Sequence, residues 1–479
     1  MISITTLPAA ADTFQLPRAV ELQLKKSDLP ATSLSVVIMP VAGERAVLSH
    51  QADRSFTPGS SIKLITSFVA LDKLGPQFKW KTQFLSDAPI QNGVLKGNLY
   101  LRGGGDPNLT FDKFSLMLRA LRQLGLQEIQ GDLILDRNYF QPTRPELGAP
   151  AFDENPESYY NVIPDALLLH SNITGLAISN DNKERANEAG VNVQLLTPHD
   201  NLVIRNQLSL NNKPCSEWKS LWQTPTTRIN EQAQIEMTLS GSFPKNCQAS
   251  TYLNLVERNA YIASQFSALW KELGGSWQGK VFEGATPINA NVIHERSSET
   301  LADTLRIINK NSDNAMARIV YLTIGAESLA ARNFPETKQA AFAEIKNWFA
   351  QNGLSSEGIV FDNGAGLSRI ERISANQMAS VLKIAASSMW YPEFAASLPI
   401  AAVDGTMKNR LKSSTAEARA RIKTGTLKNS LAVAGYVRDK QQVDWIVVAF
   451  INTADASAGR GRPVLDEIIE WIASGQENE

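Results

Sequence analysis

Pro58-Gly59-Ser60-Ser61-Ile62-Lys63-Leu64-Ile65-Thr66-Ser67-Phe68-Val69-Ala70-Leu71-Asp72-Lys73-Leu74-Gly75-Pro76 is the stretch from which the rest of the chain is best read. Residues 60–74 are apolar on most faces, which predicts a helix buried nearly all round, and Gly75-Pro76 supplies a strong stop. Ser60 opens that helix directly after Pro-Gly, where the positive end of the helix dipole favours developing negative charge. Lys63 stands one turn later on the same face, within reach of Ser60. A lysine in a dry cleft near a second cation can be neutral and accept a proton from a serine. The bland reading, a helix cap beside a solvated lysine, suits poorly a helix with almost no solvent face.

Two later strings supply what such a serine needs. Ser312-Asp313-Asn314 falls between two predicted helices. Read as extended chain, it points Ser312 and Asn314 the same way: Ser312 to relay a proton to a leaving amine, Asn314 to hold a substrate amide. Its common alternative use is a helix N-cap. Lys423-Thr424-Gly425-Thr426 ends a predicted strand. Lys423 can be the second cation, and Lys423 and Thr424 can bind a terminal carboxylate. Gly425 allows close approach, and the amide N–H groups of Ser60 and Thr426 are natural oxyanion donors. A hairpin glycine is the alternative for Gly425. The motifs are weak singly: serine-x-x-lysine recurs at Ser216 with Lys219 and Ser380 with Lys383, and serine-x-asparagine at Ser209 with Asn211 and Ser374 with Asn376. Helix context and order carry the inference.

The bulk numbers exclude several classes. At 479 residues the chain exceeds what one core usually serves, and length suggests about three domains. With 47 basic and 48 acidic residues, no global field favours nucleic acid or anionic lipid. No apolar run is long enough to span a bilayer. The first residues lack a basic region and are short for a signal peptide, although Ala9-Ala10-Ala11 resembles the tail of a cleavage site; a disordered cytosolic N-terminus fits these residues equally. Cys215 and Cys247 have no CxxC partner or zinc-spaced histidines, so no metal site is expected; they read either as a disulfide or as two unpaired structural cysteines. The four histidines, His50, His170, His199 and His294, lie far in sequence from the motifs, which weakens a Ser-His-Asp reading and metal hydrolysis alike. No cofactor is implied.

Along the chain, a strand is expected over 34–41, helices over 111–124 and 257–273, and short strands with Asn and Pro turns over 191–251. Toward the end, helical patterns flank Ser312, and strands at 420–426, 431–437 and 443–451 precede a helix at 464–473. Helix-rich and sheet-rich ends around a foreign middle predict one α/β domain interrupted by an insertion.

With these residues on the page, the chain resembles the class C low-molecular-mass penicillin-binding proteins of the penicillin-binding protein 4 type. The three motifs occur in the order shared by penicillin-binding proteins and class A β-lactamases. Residues 56–66, 74–76, 92–97, Gly105-Asp106-Pro107, Gly131-Asp132, Asn363-Gly364-Ala365-Gly366-Leu367-Ser368-Arg369 and Val403-Asp404-Gly405-Thr406 are also similar to that family, and the likeness thins between about 140 and 290. The resemblance implies a multi-domain α/β protein. Its serine β-lactamase-like transpeptidase domain, helices packed on an antiparallel sheet, would be interrupted by two nested β-rich domains. The expected boundaries are 1–78 with 292–479 for the catalytic domain, 79–190 with 251–291 for domain II, and 191–250 for domain III.

Family function implies D-alanyl-D-alanine carboxypeptidase and endopeptidase activity on peptidoglycan stem peptides in the periplasm, with covalent inhibition by β-lactams. Homo-oligomer formation is left open. Matching positions make Ser60 the nucleophile, Lys63 the base, Ser312 and Asn314 the second motif, and Lys423, Thr424, Gly425 and Thr426 the carboxylate and oxyanion side. Arg369 matches an arginine near the diaminopimelate end of the stem peptide, and Asp153 is a weaker candidate for the same pocket. Lys428 departs from the uncharged residue expected there, so side-chain preference can differ. A class A β-lactamase is disfavoured by the long gap between residues 60 and 312, and a non-catalytic binding protein by the intactness of all three motifs.

Overall fold

Three strands near the C-terminal end, β3 (Ala420–Leu427), β4 (Ser430–Arg438) and β5 (Asp444–Asn452), join β1 (Leu34–Pro40) and β2 (Leu48–His50) in an antiparallel sheet of order β2-β1-β5-β4-β3. The computed structural model describes residues 15–146, 148, 152–180, 186–454 and 456–476, so the alanine run at 9–11 lies outside the described residues. Residues 446–451 of β5 are all buried, because helices cover both faces of the sheet.

The helices that cover the sheet or hold the site are α1 (Arg18–Lys26), α2 (Lys63–Leu74), α3 (Leu301–Asn311), α4 (Asn314–Glu327), α5 (Ala375–Ser387) and α6 (Gly461–Ala473). Val20 and Leu24 of α1 and Val464, Ile468 and Ile472 of α6 share a core with Val433, Val437 and Val447 on one sheet face. The opposite face meets α5, where Tyr436 Oη donates to Leu382 O at 2.8 Å. Beyond it α2 is buried by α3 and α4, and its Phe68 lies edge-on to Trp348 and Phe394 at 5.7 and 5.3 Å between centroids. A helix enclosed in this way must be apolar all round, as residues 64–71 largely are.

One local expectation is corrected. The α-helix begins at Lys63 rather than Ser60, and Gly59–Ile62 form a tighter 3-10 turn. Gly59 sits at φ +50°, and Ser61 returns both its N–H and its hydroxyl to Pro58 O, at 3.3 and 2.8 Å. These short-range bonds wind the turn more tightly than an α-helix.

The described residues divide into two compact units, one from 15–78, 301–334 and 338–476, the other from 79–300 with 335–337. The second unit begins at 79 and runs past 291. Its strand Asn291–Ser297 pairs antiparallel with Lys81–Ser86, Ser297 opposite Lys81, which takes the boundary to 300/301. At that boundary Leu301 N–H donates to Phe78 O at 2.8 Å. Residues 191–250 do not stand apart as a compact unit. Strand Thr174–Ser179 pairs with both Asn192–Leu195 and Gln248–Leu253, and Met237, Leu239 and Phe243 share one core with Phe84, Phe114 and Phe266. Within 191–250, Cys215 and Cys247 are joined by a disulfide. Among the described residues no helix is long and apolar enough to cross a membrane.

Candidate active site

Ser60 is half-buried in the 3-10 turn that leads into α2, and three residues on Lys63 is wholly buried. Lys63 Nζ lies 3.1 Å from Ser60 Oγ and 2.7 Å from Asn314 Oδ1, and it also donates to Ala365 O. The acceptor count matters. A neutral amine has two N–H donors and one lone pair. Asn314 Oδ1 and Ala365 O can only accept, so they occupy both donors and leave the lone pair for the Ser60 hydroxyl. Burial holds Lys63 down to about 7, against the charges of Asp313 and Glu371, which favour the ammonium, and with help from Arg318.

Ser312 arrives by a route different from the extended chain expected. It sits in the left-handed region at φ +58°, and Asn314 is already the first residue of α4. Asp313 between them is the N-cap, accepting from Met316 N–H at 2.8 Å. Capping and site-building thus coexist in one tripeptide, because each of its side chains has a separate task. Ser312 accepts from Lys423 Nζ at 2.8 Å. Lys423 is wholly buried in β3, also donates to Thr424 O at 2.9 Å, and is held well below its ordinary range by burial and then by the charge of Lys63.

Glycines bring the strand onto the serine turn. A Cβ on Gly425 would lie 2.5 Å from Pro58 O and 3.0 Å from Ser60 N, and one on Gly59 would lie 3.3 Å from Thr426 N. The amide nitrogens of Ser60 and Thr426 therefore meet at one junction, the arrangement an oxyanion needs. From the third side, Gly366 at φ +80° presses on the same turn; a Cβ there would fall 2.0 Å from Gly59 O. Thr57 is tied to the sheet by Asn452 Oδ1, at 2.7 Å from its N–H, and by Ser430 Oγ, which donates to its carbonyl at 2.7 Å.

Thr424 Oγ1 donates to Thr406 Oγ1 at 2.8 Å, and Thr426 and Lys428 are exposed along the strand beyond. Arg369 is exposed in the loop after Gly366. Asp153 belongs to the other unit, where it accepts from Tyr160 Oη at 2.8 Å and Asn161 Nδ2 at 2.7 Å. The decoy motifs have other tasks. Ser380 Oγ donates to Asn376 O within α5, Ser374 caps that helix, and Lys219 lies over the Trp218 ring.

Three participants escaped the sequence reading: the Ala365 carbonyl, Thr406 and Glu371. Glu371 is wholly buried, is pushed up to about 7 by burial, and accepts from Asn363 N–H at 3.1 Å and Gly364 N–H at 2.9 Å. A single acid in Arg369-Ile370-Glu371-Arg372 carries no pattern that announces burial.

The chain is 26% identical over 454 residues to the D-alanyl-D-alanine carboxypeptidase of Actinomadura sp. (strain R39), covering 90% of this chain and 80% of that protein. It is likewise 26% identical over 451 residues to D-alanyl-D-alanine carboxypeptidase DacB of Haemophilus influenzae, covering 92% and 90%. The crystal structure of penicillin-binding protein 4 from Haemophilus influenzae superposes with a TM-score of 0.78 at 23% identity, over 96% of this chain and 99% of that one, a likeness of fold. Residues 16–474 match one protein family throughout, and the chain belongs to it: the D-Ala-D-Ala carboxypeptidase 3 (S13) family of serine peptidases.

Proposed function

We propose that Ser60 is the nucleophile and Lys63 the general base of a D-alanyl-D-alanine carboxypeptidase that also cleaves cross-linked stem peptides as an endopeptidase. One observation carries the assignment. Lys63 Nζ is held between two obligate acceptors, Asn314 Oδ1 and Ala365 O, with Ser60 Oγ as its third neighbour.

In this reading the Ser60 hydroxyl passes its proton to neutral Lys63 while Oγ attacks the carbonyl carbon of the penultimate D-alanine. The carbonyl oxygen becomes an oxyanion facing the amide N–H groups of Ser60 and Thr426. Collapse breaks the C–N bond, and the leaving amine takes a proton through Ser312, which Lys423 contacts. The released group is free D-alanine in the carboxypeptidase reaction and a second stem peptide in the endopeptidase reaction. Water then attacks the acyl-enzyme by the same route in reverse. Thr424, Thr426 and Lys423 bind the terminal carboxylate, and Gly425 lets the substrate lie against the strand. Arg369 binds the far, charged end of the stem peptide.

A β-lactam presents the same carbonyl and carboxylate in a ring whose leaving amine stays attached, so it is proposed as a covalent inhibitor. Such a substrate is met in the bacterial envelope, and the proposed location is the periplasm. The decisive experiment labels wild type and Ser60→Ala with a fluorescent penicillin and digests purified monomeric and cross-linked muropeptides. Label on wild type alone, with release of D-alanine and of monomers, is expected. No label on either protein would overturn the nucleophile assignment, and rapid penicillin turnover would point to a β-lactamase.

A further inference from the structure

The residue nearest the chemistry without an assigned task is Glu371. Its carboxylate holds the backbone N–H groups of Asn363 and Gly364, at 3.1 and 2.9 Å, and so fixes the turn that leads into Ala365. That turn is pinned twice more: Asn363 Oδ1 accepts from Ala365 N–H at 3.1 Å, and Thr66 Oγ1 donates to Gly364 O at 2.7 Å. Ala365 O is one of the two obligate acceptors of Lys63 Nζ. The other carboxylate oxygen, Glu371 Oε2, is buried without a hydrogen-bond partner among the described residues. A buried, half-satisfied carboxylate is costly, and structures keep one where its charge is used.

We propose that Glu371 is a positioning residue for the acylating lysine, holding the Ala365 carbonyl in place through two backbone N–H bonds and supplying the buried negative charge that sets when Lys63 releases its proton. The inference rests on Lys63 being the base. The charges around Lys63 come from each element packed on it: Asp313 and Arg318 from α4 and its cap, Lys423 from β3, and Glu371 from the turn, itself beside Asp362. Asp313 and Glu371 favour the ammonium; Arg318 opposes it. Removing Glu371's charge therefore makes Lys63 lose its proton at lower pH.

Two variants separate charge from position. Glu371→Gln keeps an oxygen for the two N–H groups and deletes the charge. Glu371→Asp keeps the charge and withdraws it by one methylene. The measurement is the second-order rate of Ser60 acylation by a fluorescent penicillin from pH 5 to 9, with kcat and KM on a soluble D-Ala-D-Ala peptide. For Glu371→Gln the acid-side midpoint should fall, with KM unchanged. At pH 6 this raises the rate relative to each protein's own plateau. For Glu371→Asp the midpoint should stay and kcat should fall at least ten-fold. A Glu371→Gln midpoint equal to wild type overturns the charge role, and an undiminished kcat in Glu371→Asp overturns the positioning role. Should Glu371→Gln not fold, the Asp variant still decides the second. An unlabelled wild type would instead overturn the base assignment, and this inference with it.

Discussion

Lys423 Nζ stands 2.8 Å from Ser312 Oγ, and Ser312 reaches that place from a left-handed backbone at φ +58°. The second motif is thus bent toward the third strand rather than laid out along a loop. In the proposed reaction Ser312 is the last atom-carrier between the lysines and the leaving amine.

Replacing Ser312 by alanine should therefore lower kcat on a D-Ala-D-Ala peptide by about 10²–10³-fold, in the range of lost general acid catalysis. The change should fall on kcat more than on KM, which steady-state kinetics checks directly.

Acylation should depend on pH through Lys63, which burial holds down to about 7. The reactive form is the neutral amine, so the rate rises with pH through that value. At pH 6 about a tenth of the enzyme is competent, and at pH 8 about nine-tenths. A stopped-flow pH profile of penicillin acylation tests this; a rate that fell between pH 6 and 8 would contradict the assignment.

The Gly366 contact predicts a sharp steric penalty. Gly366→Ala puts a Cβ 2.0 Å from Gly59 O and 2.5 Å from Ser60 N at φ +80°, so strain and overpacking combine to roughly 2–5 kcal/mol. Gly353→Ala is the control. Its φ is +70° but nothing lies within 4 Å of the added carbon, so only ~1–2 kcal/mol of strain is expected. Denaturant unfolding should rank the two in that order, and only Gly366→Ala should also lose penicillin labelling.

The Cys215–Cys247 bridge closes a 32-residue separation, worth about 3–4 kcal/mol in the chain-entropy model. A Cys215→Ser/Cys247→Ser double variant should show that loss in the unfolding of the second unit. Its rate of acylation at Ser60 should match wild type, since both cysteines lie outside the unit that carries the motifs.

Much of the site was legible because its chemistry is written locally. A serine and a lysine three apart, directly after Pro-Gly and followed in order by the other two motifs, leave few other readings, and β4 and β5 announce themselves by apolar runs. What stayed hidden depends on contacts distant in sequence. Glu371 looks like any surface acid until the turn at 363–365 folds over it, and the Ala365 carbonyl has no side chain to advertise it. The left-handed Ser312 is invisible because the same tripeptide serves as an ordinary cap. The strand at 291–297 could not be assigned to the inserted unit from sequence, because alternation shows a strand but not the strand it pairs with.

The hydrogen bond from Leu301 to Phe78 O has a bearing on how the enzyme is assembled. The catalytic chain departs and returns at adjoining residues, so for that unit the whole excursion is topologically equivalent to a tight hairpin loop. Strands Lys81–Ser86 and Asn291–Ser297 zip together just beyond that point and serve as a stem. Once the stem has formed, the segments that carry the three motifs, Ser60 on one side and Ser312 and Lys423 on the other, are near neighbours along the chain rather than distant ends of a long coil. The insertion then acts as an internal splint that shortens the search for the catalytic fold.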